Sequence, residues 1–466
     1  MPSRIAVVGG GISGLTAAYR LRQALGADAQ IDLYEAGERL GGILHTARVG
    51  GRHVDVGAEA FIIRRPEARD LVTELGLGDR VVSPTARRPA VWSGGRLHPL
   101  PAPALMGIPA SSDVVVGLAD PADIGRIAGE PDRPWRWTPD DNPSVGALVA
   151  DRFGESVVAR SVDPMLGGVY SSLAGAIGVR EALPALATRL DAGAPNLTAP
   201  VAELTAAGAG GGPVFGALIG GYRVLIDTLA RAAGVTPEFC SYVMRADSRP
   251  GGWTLQVSGD RSVDYDGVVL AVPAWVAGRL LRESTPDLAA PLSAVQGASS
   301  VVVSIALDGG TPLPEHSGVL VATGESLHAK AFTFSSQKWA HLAGDGPVSV
   351  RASFGRFGAP VPDDCIEPGV DDRIRAEALA DLDEVCAAAG VPAASPHVID
   401  LKLQRWTNGL PVYAPGHLTR MADVARARPP RLALAGSAYA GVGVPACIGQ
   451  AGRAVAGLLA DLDMKE

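Results

Sequence analysis

At 466 residues the chain is long enough for two or three domains and a large apolar core. Its 47% hydrophobic and 19% charged content excludes a disordered chain. A formal net charge of -8 excludes the broad basic surface of a nucleic-acid binder, so any anionic ligand must be met by a local group of cations.

Residues 4 to 42 read as strand, tight turn, helix and strand. Ile5 to Val8 is a short buried strand, Leu15 to Leu25 has helical apolar spacing, and Ile31 to Tyr34 returns as a strand. Residues 83 to 143 are proline-rich and predict long loops with short helices. Asn142-Pro143-Ser144 opens a helix with Val145, Leu148, Val149 and Phe153 on one face, stopped by Gly154. A further helix runs from Glu155 and is expected to end near Pro164. Gly208 to Pro213 is a glycine-rich break that suits a domain crossing. Strands are predicted over Trp253 to Val257, Tyr265 to Val272, Ser299 to Leu307 and Pro347 to Phe354, with a helix from Asp371 to Ala389. Glycine-rich, strand-like text returns at 432 to 444, and a helix over Gln450 to Leu459 follows, so the first domain is expected to be discontinuous. Cys240, Cys365, Cys386 and Cys447 show no C-x-x-C spacing, so no metal site and no disulfide framework is expected. Free thiols, no signal peptide and no spanning segment predict a cytoplasmic protein with at most peripheral membrane contact.

The chemistry-bearing text is Val7-Val8-Gly9-Gly10-Gly11-Ile12-Ser13-Gly14. Gly9, Gly11 and Gly14 satisfy G-x-G-x-x-G, which permits a tight turn, a close diphosphate approach and close helix packing. Alone this pattern is weak, and a structural glycine turn competes with it. Here it follows a strand, opens a helix, and is joined by Glu35 at the end of the next strand, where a ribose-binding carboxylate is needed. Glu35-Ala36-Gly37-Glu38-Arg39-Leu40-Gly41-Gly42 then resembles the E-x-x-x-R-x-G-G element of glutathione-reductase-like flavoproteins, and implies non-covalent FAD rather than NAD.

Four later stretches extend the likeness across nearly the whole chain. They are Val54 to Phe61, containing Gly57, Ala58, Glu59 and Ala60; Leu148 to Tyr170; Gln404-Arg405-Trp406 with Leu410-Pro411-Val412-Tyr413 and Gly416-His417; and Ala435-Gly436 with Gly441 to Ile448. Together they resemble the protoporphyrinogen/coproporphyrinogen oxidase family. Pro99 to Pro109 resembles its bacterial branch acting on coproporphyrinogen III.

The resemblance implies an α/β fold in three parts. A Rossmann-like FAD domain is built from residues 1–62, 206–280 and 421–466. A mixed-sheet substrate domain is built from 63–100 and 281–420, and a helical domain from 101–205. It implies oxygen as acceptor with release of hydrogen peroxide, and a downstream ferrochelatase as partner. Besides the residues above, Val243, Trp406, Val442, Gly443 and Val444 are expected at the cofactor. The substrate would be a broad apolar macrocycle edged with propionates, and Arg64, Arg65, Tyr170, Lys330, Arg405 and His417 are its candidate partners. A solvated pair is the alternative for Arg64 and Arg65, a structural ion pair for Arg405, and a turn role for His417. Oxidation of protoporphyrinogen IX, a flavin amine oxidase or desaturase, and a flavin-bound porphyrin carrier without turnover are the competing functions.

Overall fold

The computed structural model describes residues 3–208, 212–363 and 366–463. Residues 209–211 of the glycine-rich break and Cys365 therefore lie outside the described residues. Strand Arg4–Val8 has Ile5 and Val7 in one apolar core and Ala6 and Val8 in another, as a strand buried on both faces requires. It is the middle strand of a five-stranded parallel sheet ordered 237–238, 30–34, 4–8, 267–270, 432–434. Three separate stretches of chain thus meet in one sheet.

Helices Ile12–Leu25, Arg223–Ala233 and Val444–Asp463 cover one face of this sheet. The antiparallel strands Val243–Arg249, Gly252–Val257 and Arg261–Tyr265 cover the other, with helix Ala274–Leu281. The chain predicted as one strand over Tyr265 to Val272 is broken at Asp266, whose carboxylate accepts the Arg4 N–H at 2.7 Å and turns the chain into the parallel sheet.

A seven-stranded mixed sheet forms the second unit, ordered 398–411, 297–307, 348–354, 331–333, 318–321, 90–93, 96–99. Helix Val370–Ala388 packs on one of its faces. The expected domain limits shift here. Helix Pro66–Glu74 buries Ala68, Leu71 and Val72 in the nucleotide-side core, and helix Pro286–Ser293 buries Leu288 and Leu292 beside the parallel sheet. Both were expected in the substrate domain. Their apolar stripes are satisfied by the nearer core, and connection order along the chain does not override that.

Short helices between Pro121 and Gly208 enclose a third apolar core around Val145, Phe153, Val162 and Leu186. The helix from Glu155 does not stop at Pro164. Its second turn, Val158–Val162, is π-helical, and α-helix resumes over Asp163–Tyr170. The wider turn changes the hydrogen-bond register just where proline lacks an N–H, so the chain passes through.

This third core hides one ion pair. Arg152 Nε meets Glu130 Oε1 at 2.9 Å with side chains 3% and 0% exposed, and Glu130 also accepts the N–H groups of Leu197 and Thr198 and the Thr198 hydroxyl. Exposed pairs contribute about 0–1 kcal/mol, but removing one partner of a buried pair costs about 3–5 kcal/mol. Glu130→Ala should therefore lower the thermal midpoint measurably, whereas Asp423→Ala, which breaks an exposed pair with Arg426, should leave it within about 1 °C. Equal midpoints for both variants would contradict the assignment.

Candidate active site

The glycine turn lies at the carboxyl end of the central strand, where helix Ile12–Leu25 begins with no side-chain cap at Gly11. Its first N–H groups have no intrahelical acceptor and face the turn with the positive end of the helix dipole. Gly9 has φ +104°, open to glycine, and its N–H donates to the Tyr34 carbonyl at 2.8 Å. A methyl group at Gly14 would overlap the Gly9 carbonyl oxygen, so that glycine sets how closely helix meets strand. At Gly11 the reverse holds. A Cβ there would find nothing nearer than the Gly42 Cα at 3.9 Å, so the protein leaves a space bounded by backbone where a diphosphate fits.

The remaining expected cofactor residues converge on this turn. Glu35 Oε2 accepts the Gly10 N–H and Oε1 the Gly37 N–H, each at 2.7 Å, which fixes a carboxylate that retains lone pairs for ribose hydroxyls. Gly41 bridges to Gly11, and Arg39 holds the Gly41–Gly42 bend by donating to the Gly42 carbonyl at 2.7 Å. The Ser241 N–H donates to the Glu35 carbonyl at 3.0 Å, which brings the start of the Val243 strand beside the ribose-binding loop, next to Ala36. From the other end of the chain, Gly436, Val442, Gly443 and Val444 lead into helix Val444–Asp463, which packs on helix Ile12–Leu25. Tyr413 holds this C-terminal loop: its hydroxyl accepts the Gly441 N–H and donates to the Ser437 carbonyl, both at 2.6 Å.

The segment 52–59 lies on the helix-free face of the seven-stranded sheet. Val54 and Val56 pack on Ala306, and Trp406 Nε1 donates to the Val56 carbonyl at 2.9 Å. Two registered rows cross that face, Gln404, Val302, Ser353 and Ala331 in one and Lys402, Ser304, Arg351 and Thr333 in the next. Their side chains are mostly small or polar, whereas Val301, Val303, Val350, Ala352 and Phe332 point into the apolar core under the helix. This face and the segment 52–59 supply the wall against which a flat ring system can lie.

Several of the expected residues have protein partners for their side chains. Glu59 is one of them. Lys338 lies 3.1 Å and Arg351 3.7 Å from its carboxylate, and the Ser335 hydroxyl also donates to it. Burial pushes the Glu59 carboxyl up, but Lys338 and Arg351 outweigh it and hold the pKa at about 2. Arg405 and Trp406 are neighbours in one strand and therefore face opposite ways. Trp406 reaches the segment 52–59, while Arg405 pairs with Asp371 of the covering helix at 2.8 Å and donates to the Pro362 carbonyl. His417 is buried, and its Nε2 lies 2.6 Å from the Ala438 carbonyl; burial lowers its pKa, so the ring is neutral and ties down the C-terminal loop. Arg65 sits at the start of helix Pro66–Glu74 without capping it and pairs with Glu67 at 2.7 Å, and Arg64 donates to the Gly212 carbonyl. Both take protein partners at a point where the chain enters the nucleotide-side core. Tyr170 and Lys330 remain as candidates: the Tyr170 ring lies 6.0 Å from that of Tyr413, and Lys330 is 8% exposed.

Sequence reasoning quoted Tyr413 without giving it a role and missed Arg351 and Arg356. The only signal for Arg351 is its alternation with Val350 and Ala352 in a strand. Arg356 follows the end of that strand and carries no pattern at all.

Fold and site together define a dinucleotide-binding flavoprotein assembled from both ends of the chain. The chain belongs to the flavin containing amine oxidoreductase family, whose model matches residues 12–459. It is therefore an oxidoreductase with FAD as cofactor. It is 47% identical over 464 residues to the coproporphyrinogen III oxidase of Mycobacterium tuberculosis (strain ATCC 25618 / H37Rv), covering 99% of this chain and 98% of that protein. The solved structure of a protein from Exiguobacterium sp. 255-15, placed among the protoporphyrinogen oxidases, superposes with TM-score 0.85 at 27% identity and covers 100% of both chains. A putrescine oxidase shares the fold, with TM-score 0.67, 19% identity and 99% of each chain covered. Among the described residues no helix is long and apolar enough to cross a membrane.

Gly11→Ala should fold, since its methyl group meets no protein atom closely, yet purify with little bound flavin; circular dichroism and visible absorbance read the two effects separately. A yellow Gly11→Ala protein would remove the diphosphate from this turn. A second expectation concerns Asp55, a buried residue within the segment 52–59, which accepts the Thr46 hydroxyl at 2.5 Å and the Tyr222 N–H at 3.0 Å. Burial raises its pKa to about 7 despite those hydrogen bonds. Its contribution to stability is thus present below about pH 4, the ordinary carboxylate range, and is lost as pH rises through about 7. Asp55→Asn should gain in relative thermal midpoint between pH 4 and 7, and a pH-independent difference from the parent would contradict this.

Proposed function

We propose that the chain oxidises coproporphyrinogen III to coproporphyrin III in heme biosynthesis, consuming three O2 and releasing three H2O2. The observation that carries this reading is the full-length likeness to coproporphyrinogen III oxidases, joined to an intact cofactor cradle reached from both chain ends. FAD, when bound, supplies the two-electron redox chemistry of each of the three turnovers. The protein's own part is placement. The glycine turn and two helix N-termini would hold the diphosphate and Glu35 the ribose, and the Trp406 contact ties segment 52–59 to the sheet. The small, half-buried side chains of Ala331 and Ser353 present little bulk to a wide ring on that face. The charge of Glu59 is neutralised by Lys338 and Arg351, so it neither repels an anionic substrate nor draws water to the ring.

In this reading the enzyme acts in the cytoplasm, the helical region between 101 and 205 makes at most peripheral contact with a membrane, and the product passes to a ferrochelatase. Protoporphyrinogen IX, which carries two propionates instead of four, is the poorer substrate. An anaerobic titration with coproporphyrinogen III should bleach the flavin absorbance, and air should restore it with peroxide detectable by a peroxidase assay. A flavin that stays oxidised overturns the reading, and a higher kcat/KM with protoporphyrinogen IX reassigns the substrate.

A further inference from the structure

Among the described residues, two buried cations are matched by carboxylates. Arg152 has Glu130, and Arg351 has Glu59. Lys330, which is buried, and Arg356, which is half-buried, are not matched. Lys330 Nζ donates to the Ser171 hydroxyl at 2.9 Å and to the Gly355 carbonyl at 2.6 Å, both neutral. Arg356 Nη1 donates to the Thr323 hydroxyl at 3.3 Å. Among the described residues neither cation has a carboxylate within 4.0 Å. The acid that acts on Arg356 is Asp163, and its two oxygens are taken by the Ala174 N–H and the Thr323 hydroxyl, each at 2.8 Å. The cluster therefore sets two basic groups against one acid in a place largely out of water, where a protonated Lys330 has no anion of its own and costs free energy. Burial, followed by the Arg356 guanidinium, brings the Lys330 ammonium down to about 7.

The position is fixed and close to the cofactor elements. Ser171 has φ +48° and its carbonyl accepts the Phe357 N–H at 2.7 Å, so the loop after strand 348–354 is docked on the end of helix Asp163–Tyr170. Its neighbour Tyr170 packs on Tyr413, whose hydroxyl holds Gly441 of the C-terminal flavin segment. On the sheet side, the Lys330 N–H donates to the Ser353 carbonyl at 2.7 Å, and Ser353 lies in the row of small residues that lines the ring site.

We propose that Lys330 and Arg356 form a carboxylate-binding subsite, between the helical region and the seven-stranded sheet, that takes one propionate of the substrate. This deepens the porphyrinogen reading and rests on it. The guanidinium provides a fork for the carboxylate, the ammonium a point charge opposite it, and Asp163 with Thr323 keeps the fork oriented. The subsite works in binding and register: it sets which edge of the macrocycle enters first.

The test uses the flavin-loaded protein and four variants, Arg356→Gln, Arg356→Lys, Lys330→Met and Lys330→Arg. Steady-state rates with coproporphyrinogen III are read beside equilibrium binding of coproporphyrin III and of its tetramethyl ester. Arg356→Gln and Lys330→Met should each raise KM, and the Kd for coproporphyrin III, by about 10- to 100-fold, with kcat within about threefold. Arg356→Lys and Lys330→Arg, which keep the charge, should recover part of the affinity. The ester should bind the parent weakly and lose nothing further in the variants. Parental KM and Kd in flavin-loaded Arg356→Gln and Lys330→Met overturn the subsite and leave the proposed function standing. A parent that binds coproporphyrin III through these residues but never oxidises the porphyrinogen overturns the function and leaves the subsite. Should the variants fail to fold, the parent alone decides: equal affinity for acid and ester overturns the proposal, and a strong preference for the acid supports it.

Discussion

The near-contact between Gly14 and the Gly9 carbonyl is the constraint on which the architecture depends. It lets helix Ile12–Leu25 start directly at the end of the central strand, so that the free N–H groups of its first turn face the crossing point of the chain. Helix Val444–Asp463 packs on that helix and lies beside the outermost strand, 432–434, of the same sheet. Two chain termini more than 400 residues apart in sequence are thereby aimed at one extended anion-bearing ligand. Every other element of the nucleotide side, from the Glu35 carboxylate to the Arg39 bend, is registered to that geometry.

The second organising feature is the two-faced large sheet. One face is ordinary core under helix Val370–Ala388, rich in Val, Phe and Ile. The other carries small and polar side chains in register, and where it touches segment 52–59 it makes polar contacts that fix backbone: Trp406 on Val56 and Arg351 on Gly57. A face depleted of bulk cannot stabilise the sheet by packing on itself. Protein already covers part of it, with Val302, Ser304 and Arg351 buried.

Charge is distributed in the same economical way. Where cations are structural, carboxylates or carbonyls meet them, as with Arg152, Arg405 and Arg428. The chain as a whole is acidic, so it exerts no general pull on an anionic substrate. In the proposed reading, discrimination falls to a few cations held out of water, where the dielectric makes a single carboxylate count.

The dinucleotide unit was legible in residues 4 to 42 because it is local: turn, helix start and acidic partner are separated by short fixed spacings, and glycine alone satisfies the turn. The C-terminal return to the same domain was legible as a second glycine-rich strand and helix. Strand alternation could in principle have separated Trp406 from Arg405, but which face of the strand turns toward the cofactor is decided by the partner strand 297–307 and the helix over it. The roles of Arg64, Glu59 and His417 likewise depended on partners distant in sequence, such as Gly212, Lys338 and Ala438. Thus the amino-acid order determined the cofactor class and the discontinuous α/β plan, since both follow from short-range backbone geometry. Which cations are spent on the protein itself and which stay without an acid was decided only by tertiary structure, because pairing is a matter of a few ångströms in space that no spacing along the chain encodes.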